Sequence, residues 1–148
     1  MAEIKTILCA VDFSEYSADV ASYSETLAKA LGATVNVLYV APSLTQYVGF
    51  HVPPTSIESF VGEIVSGAEK TMDAFLEERF SDCPVEGAVV TGYAAEEILD
   101  YAKENQVDMI VMGTHGRKGI DRILFGSVAE KVVQTSSVPV LTIRPSAK

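Results

Sequence analysis

Five short apolar runs alternate along this chain with segments of helical periodicity, and this alternation constrains the fold more than any other feature. The runs are rich in Val, Ile and Leu, as expected for strands that helices cover on both faces. In a chain of 148 residues, the alternation predicts βαβ units with right-handed crossovers and a mainly parallel sheet. The predicted strands are Thr6–Val11, Thr34–Val40, Val85–Thr91, Asp108–Met112 and Val138–Ile143.

Four helices are predicted between these strands. The first is expected to begin at Ser14, whose hydroxyl would cap the free N–H groups, and to end at Gly32. The second spans about Thr55–Arg79, the third about Ala94–Glu104, and the fourth begins near Ser127 and ends around Thr135. The predicted inward stripe of the first helix consists of Val20, Ser24, Leu27, Ala28 and Leu31.

Length and composition indicate one domain over residues 1–148, with enough chain to bury a substantial core. No apolar run approaches the roughly 20 residues that span a bilayer, and the N-terminus does not resemble a signal peptide. We therefore expect a cytoplasmic protein. The two cysteines have no metal-binding or disulfide pattern, so Cys9 is expected to be a buried hydrophobe and Cys83 a loop residue.

The charge is strongly negative but unevenly distributed. A net charge of −9 argues against general binding to nucleic acid or to an anionic membrane. Residues 113–131, however, hold four of the eleven basic residues and only two of the twenty acidic ones. Such a basic island on an acidic chain suits a small anion better than a polymer.

That island contains a glycine-rich segment, Gly113–Ser127, between an apolar strand and a helical pattern. Glycines at such a turn can bring backbone N–H groups close to a phosphate, and Arg117, Lys118 and Arg122 could steer an anion towards it. The segment following the first strand, Val11–Glu15, has no glycine, which argues against a dinucleotide fingerprint. The P-loop spacing also fails, and the third run lacks the Asp that a receiver domain phosphorylates.

The pattern Gly113-x2-Gly116-x9-Gly126-Ser127 resembles the universal stress protein family, in particular its ATP-binding subclass. The resemblance extends to Ala10-Val-Asp12-Phe-Ser, Leu38-Tyr-Val40 and residues 107–113, and to the C-terminal run 137–144, so it covers nearly the whole chain. It implies an open parallel five-stranded sheet flanked by helices on both faces, Rossmann-like and of the adenine nucleotide alpha hydrolase type.

The resemblance also implies a nucleotide site and its cofactors. ATP, or ADP or AMP, would bind with Mg²⁺ or Mn²⁺. Asp12 would lie beside the ribose or the metal-bound phosphates, the backbone at Val40 would face the adenine, and Gly126 and Ser127 would present amides at a helix N-terminus. The implied nucleotide-binding residues are Ala10, Asp12, Val40, Met112, Gly113, His115, Gly116, Arg117, Gly126, Ser127 and Val128.

Several alternatives stay open on the sequence. The glycines could serve only a tight turn, and Asp12 could only cap the first helix. No hydrolytic machinery is recognisable, which favours a nucleotide-dependent stress-response module with little or no turnover. The alternatives are an interaction protein of the same family that binds no nucleotide, and a slow ATPase. The resemblance implies a homodimer through the C-terminal edge strand; the alternative is a monomer whose edge Pro139, Arg144 and Pro145 protect.

Overall fold

A computed structural model describes residues 2–41, 54–115 and 120–144. It confirms the predicted fold class: five parallel strands form one sheet in the order β3-β2-β1-β4-β5. Within the described ranges, no helix is long and apolar enough to span a membrane. The elements are β1 (Thr6–Val11), α1 (Ser17–Leu31), β2 (Thr34–Ala41), α2 (Pro54–Arg79), β3 (Val85–Thr91), α3 (Ala94–Glu104), β4 (Met109–Gly113), α4 (Ile120–Thr135) and β5 (Val140–Ile143).

The helices cover both faces of the sheet because the strand side chains alternate between two apolar clusters. Ile7 and Cys9 of β1 pack on the face that α1 and α2 cover, whereas Leu8 and Ala10 pack on the face of α3 and α4. The central strands β1, β2 and β4 are therefore apolar on both sides. This explains why their sequences are nearly continuous hydrophobic runs.

Both cysteines occupy the environments expected of them. Cys9 is fully buried, and burial raises the pKa of its thiol to about 12, although a hydrogen bond with Ser24 acts in the opposite direction. Cys83 lies between α2 and β3, half-buried, and burial raises its pKa too, with the carboxylate of Glu25 adding to the effect. Neither thiol is activated as a nucleophile, because both shifts favour the protonated form.

The first helix begins later than predicted. α1 starts at Ser17, preceded by Tyr16, which makes no side-chain capping bond, so the prediction of a Ser14 cap was wrong. The backbone turns once more before the helix, and the Ser17 amide donates to the Ser14 carbonyl (3.0 Å). Gly32 ends the helix in a left-handed conformation (φ 67°), as predicted. Leu31 beside it is 47% exposed, contrary to its expected inward position.

The fourth helix begins earlier than predicted, at Ile120 instead of near Ser127, and ends at Thr135 as expected. Gly126 and Ser127 therefore lie inside α4, and their amides are not at its positively charged N-terminal end. The glycine pattern predicts Gly126 as the residue before a helix. A single glycine is nevertheless tolerated within a helix, at a cost of about 1 kcal/mol relative to alanine, and here the carbonyl of Thr114 lies beside it.

Two strands near the C-terminus are shifted slightly from their predicted bounds. Asp108, the expected first residue of β4, instead accepts hydrogen bonds from the amides of Lys5 (2.8 Å) and Thr6 (3.0 Å). Ser136 and Val138 form a small turn before β5, in which the Ser136 hydroxyl donates to the Val138 carbonyl (2.8 Å). β5 begins at Val140 and lies at the edge of the sheet, as predicted.

Candidate functional site

The carboxyl ends of β1, β2 and β4 lie next to one another at the centre of the sheet. The strand order reverses between β1 and β4, which is where open parallel sheets place their ligands. In the sheet register, Ala10 pairs with Leu38 on one side and with Met112 on the other. Two residues after Ala10, Leu38 and Met112, the three neighbouring segments reach Asp12, Val40 and Thr114.

We call these residues, together with Gly113, His115 and Gly126–Val128, the strand-end site. The sequence predicted that the first and fourth strands would contribute to one site, and the register brings them together. The site is bounded by two loops. The β1 loop comprises residues 12–16, and the name β4 loop is used for Thr114 and His115, the described residues that follow β4.

The β1 loop is organised around the carboxylate of Asp12. Its Oδ1 accepts hydrogen bonds from the Ser14 amide (2.9 Å) and from the Ser17 hydroxyl (3.2 Å). The Asp12 amide in turn donates to the Ser17 hydroxyl (3.4 Å). The carboxylate therefore lies beside the N-terminal end of α1, where the helix dipole favours negative charge.

The same loop contains a left-handed residue and an unpaired hydroxyl. Phe13 adopts φ 61°, which is unusual for a residue with a side chain and is often found at functional sites. This conformation accompanies ring packing against Tyr39 (centroids 4.7 Å apart) and Phe75 (5.7 Å). The Ser14 hydroxyl is buried and has no hydrogen-bond partner among the described residues.

The β4 loop is held by the edge strand β5. The Thr114 amide donates to the carbonyl of Ile143 (3.0 Å), and the Thr114 hydroxyl lies 3.4 Å from the same oxygen. That hydroxyl also lies 2.8 Å from Nδ1 of His115. The His115 ring makes an edge contact with the ring of Tyr16 (centroids 6.5 Å apart), so the two loops meet across the site.

The two described glycines of the site differ in how much space surrounds them. A Cβ at Gly113 would lie 3.3 Å from the His115 carbonyl oxygen and 3.4 Å from Cγ2 of Val20, which is tight. Among the described residues, a Cβ at Gly126 would meet only the Thr114 carbonyl oxygen, at an ordinary 3.5 Å. Packing alone therefore favours glycine at position 113. It does not require glycine at position 126.

The remaining predicted residues divide by exposure. The side chains of Ala10 and Met112 are 2% and 0% exposed and pack in the core of the α3 and α4 face, beneath the strand ends. Val40 and Val128 are half-buried at the margin of that core, and Ser127 is exposed. Gly116 and Arg117 lie outside the described residues, as do Lys118 and the side chain of Arg122.

The described side chains do not form a metal site of their own. Within residues 2–41, 54–115 and 120–144, no three side chains of His, Cys, Asp and Glu come together in an arrangement that could hold an ion. Asp12 supplies one carboxylate at the strand-end site. A single carboxylate matches the way proteins often hold Mg²⁺ when phosphate oxygens supply other ligands.

Sequence reasoning missed three residues that shape this site: Ser17, Thr114 and Tyr16. Ser17 follows Asp12 by five positions, and Thr114 lies inside the glycine motif. A polar residue just after a strand end was the available signal for Thr114. For Ser17 and Tyr16 the signal was weaker, because both were expected to lie inside the first helix.

A groove of about 600 Å³ lies elsewhere, between α3 and α4. Its lining includes Val107 and Val138, which precede β4 and β5, so it lies at the opposite end of these strands from the strand-end site. None of its lining residues belongs to the strand-end site. The two features are therefore separate.

Comparison with known proteins agrees with the fold. Residues 3–144 match the model of the universal stress protein family. Universal stress protein MJ0531 of Methanocaldococcus jannaschii is 32% identical over 148 residues, which cover 97% of this chain and 84% of the relative. Universal stress protein YxiE of Bacillus subtilis is 35% identical over 150 residues, covering 93% of this chain and 97% of the relative.

Solved structures of the same family share the fold. That of hypothetical protein MJ0577 of M. jannaschii superposes with a TM-score of 0.82 at 26% identity, covering 99% of this chain and 100% of the other. Two more distant structures contain a nucleotide. One is an Archaeoglobus fulgidus universal stress protein with dAMP (TM-score 0.66, 22% identity, 97% and 99% coverage). The other is a universal stress protein with cAMP (0.62, 20%, 96% and 98%). The chain belongs to the universal stress protein family.

Proposed function

We propose that the chain binds ATP, together with Mg²⁺ or Mn²⁺, at the strand-end site and acts as a nucleotide-dependent module of the stress response with little or no turnover. The observation that carries the proposal is the convergence of Asp12, Val40 and Gly113–His115 at the switch in strand order. The family structures with dAMP and cAMP support an adenine nucleotide as the ligand class.

Each part of the site contributes a different interaction. The backbone around Val40 continues a central strand and offers polar groups to the adenine edge. Asp12 presents a carboxylate to the ribose, or to a cation held by the phosphates. Gly113 and Gly116 allow the main chain to approach the phosphates, and Ser127 offers a hydroxyl from α4. When bound, the cation would neutralise phosphate charge.

Gly126→Ala is the sharpest test, because the described residues around Gly126 leave room for the methyl group. Alanine in a helix interior stabilises by about 0.5–1 kcal/mol relative to glycine, so the melting temperature of the variant should stay the same or rise. The methyl would point towards the Thr114 carbonyl, into the space between α4 and the β4 loop. We expect calorimetric titration with Mg-ATP to show binding by the wild type and a loss of about tenfold or more in the variant, on the order of 1.4 kcal/mol.

Gly67→Ala is the matched control. A Cβ at Gly67 meets no described atom within 4 Å, and the residue lies in α2, which contributes no residue to the strand-end site. Its affinity for Mg-ATP should equal that of the wild type. Equal affinity of Gly126→Ala and wild type, or no wild-type binding at millimolar ATP, would contradict the proposal.

Two further measurements separate the alternatives. Mass spectrometry of freshly purified protein should find a bound adenine nucleotide, and ATP should raise the melting temperature. Absence of both would favour an interaction protein without nucleotide. Sustained phosphate release that stays with the protein through purification and falls in Asp12→Asn would favour a slow ATPase.

We further propose that residues 1–148 form one cytoplasmic domain that pairs with a second copy through β5. β5 (Val140–Ile143) is the edge strand of the sheet in the described part of the chain, and its partial burial supports this pairing. Light scattering should give twice the monomer mass, and Thr142→Asp, which places like charges at the edge of both copies, should return it to the monomer value. A monomeric wild type would refute the pairing.

A further inference from the structure

Two serines of α1 are the buried polar side chains of the described core: Ser17, 2% exposed, and Ser24, 0% exposed. Their hydroxyls serve different purposes. Ser24 donates to the carbonyl of Val20 (2.8 Å), one turn earlier in the same helix. Ser17 donates out of the helix to the Asp12 carboxylate (3.2 Å) and lies 3.4 Å from the Asp12 amide.

We propose that Ser17 is a positioning residue that fixes the Asp12 carboxylate for nucleotide binding. The inference rests on the proposed function of the strand-end site. Ser17 itself is buried, so it acts through Asp12 and does not contact the ligand. Its hydroxyl is held in place because it lies on the first turn of a helix that packs against β1.

The physical reason is that Asp12 follows the last residue of a strand and precedes a residue in a strained conformation. An aspartate carboxylate turns about two side-chain torsions, and each restraint that the fold places on it lowers the cost of ordering it when a ligand binds. The Ser14 amide and the Ser17 hydroxyl restrict Oδ1 from two sides. The ordering cost is then met during folding, so more of the binding free energy is retained. Groups that orient a ligand-contacting residue in this way commonly matter by 10- to 100-fold at metal sites.

The first test uses nucleotide-free protein and does not depend on the proposed function. The Ser14 amide reports on the carboxylate, because it donates to Oδ1. Hydrogen exchange measured by NMR should show this amide exchanging about fivefold faster or more in Ser17→Ala than in wild type, an effect of roughly 1 kcal/mol for one hydrogen bond. In Ser24→Ala, the equally buried control in the same helix, the rate should match that of wild type. Equal rates in Ser17→Ala and wild type would overturn the proposal.

The second test measures Mg-ATP affinity in a double-mutant cycle. Ser17→Ala should weaken binding by roughly tenfold, in line with the lower end of the range above, and Ser24→Ala should not change it. In an Asp12→Ala background, Ser17→Ala should have less than about a twofold further effect, because the group it positions is absent. Equal losses in both backgrounds would show that Ser17 acts by a general structural route, and the proposal would be wrong. If wild type binds no ATP, the proposed function fails, and the exchange experiment still decides the role of Ser17.

Discussion

The two loops at the strand-end site are held in opposite ways. The β1 loop is held by its own neighbours: Asp12 bonds to Ser14 and Ser17, two and five positions away. The β4 loop is held by Ile143, 29 positions further along the chain, through the Thr114 amide and hydroxyl. One loop is therefore a local structure, and the other depends on the docking of an edge strand.

Because of this difference, the two loops of one site lose their support under different conditions. A local loop can form as soon as β1 and α1 pack together. A loop held by a distant segment loses its support whenever that segment opens, and edge elements tend to open more easily than the centre of a sheet. The ring contact between Tyr16 and His115 connects the two. We therefore expect the β4 loop to open more often than the β1 loop.

The largest expected effect concerns the β1 loop, at Phe13. Phe13→Ala should lower the free energy of unfolding by about 3 kcal/mol, because it removes the ring contacts with Tyr39 and Phe75. Phe13→Gly should cost about 1 kcal/mol less than Phe13→Ala, since glycine accepts the left-handed backbone without strain. Urea denaturation measures both values.

Phe80 provides the control for this pair. It is buried and packs near the ring of Phe75, but it has no left-handed backbone. At Phe80, glycine should be more destabilising than alanine, the usual order. If alanine also costs less unfolding free energy than glycine at position 13, the β1 loop does not depend on the left-handed backbone of Phe13.

The next effect concerns the β4 loop at its base. Gly113→Ala should lower the free energy of unfolding by about 2 kcal/mol, because the new methyl presses against Val20 and the His115 carbonyl. Thermal and urea unfolding should show this loss. Gly67→Ala, with open space around it, should raise stability by about 0.5–1 kcal/mol. A neutral Gly113→Ala would mean that the loop yields easily and is not tightly packed.

The smallest of the three stability effects gives the sharpest distinction between the loops. Ile143→Ala should lower the free energy of unfolding by about 1.5 kcal/mol, less than for a fully buried isoleucine, because the side chain is half-buried. Hydrogen exchange should then become faster at the Thr114 amide, which donates to the Ile143 carbonyl. It should stay unchanged at the Ser14 amide, which donates to Asp12. Equal acceleration at both amides would show that the loops open together, and the comparison would fail.

Much of the fold was predictable because its signals are local. Thr6–Val11, Val85–Thr91 and Ala94–Glu104 match their predicted bounds, since the two strands are short β-like runs and the helix has apolar residues at helical spacing. The predicted start of α4 was wrong because Gly126, a residue type that often marks a helix end, lies within the helix beside Thr114. The predicted start of α1 was wrong because Ser14, although serine commonly caps helices, lies in an extra turn before the helix.

The sequence by itself determined the alternation of strands and helices, and with it the residues that follow the carboxyl ends of the strands. Hydrophobic periodicity and glycine placement act over a few residues, so they can be read along the chain. Only the tertiary structure decided that β1 lies between β2 and β4 and that Ser17 turns towards Asp12. It also decided that Ile143 supports the β4 loop. These contacts depend on how helices and strands pack in space, which no short segment encodes.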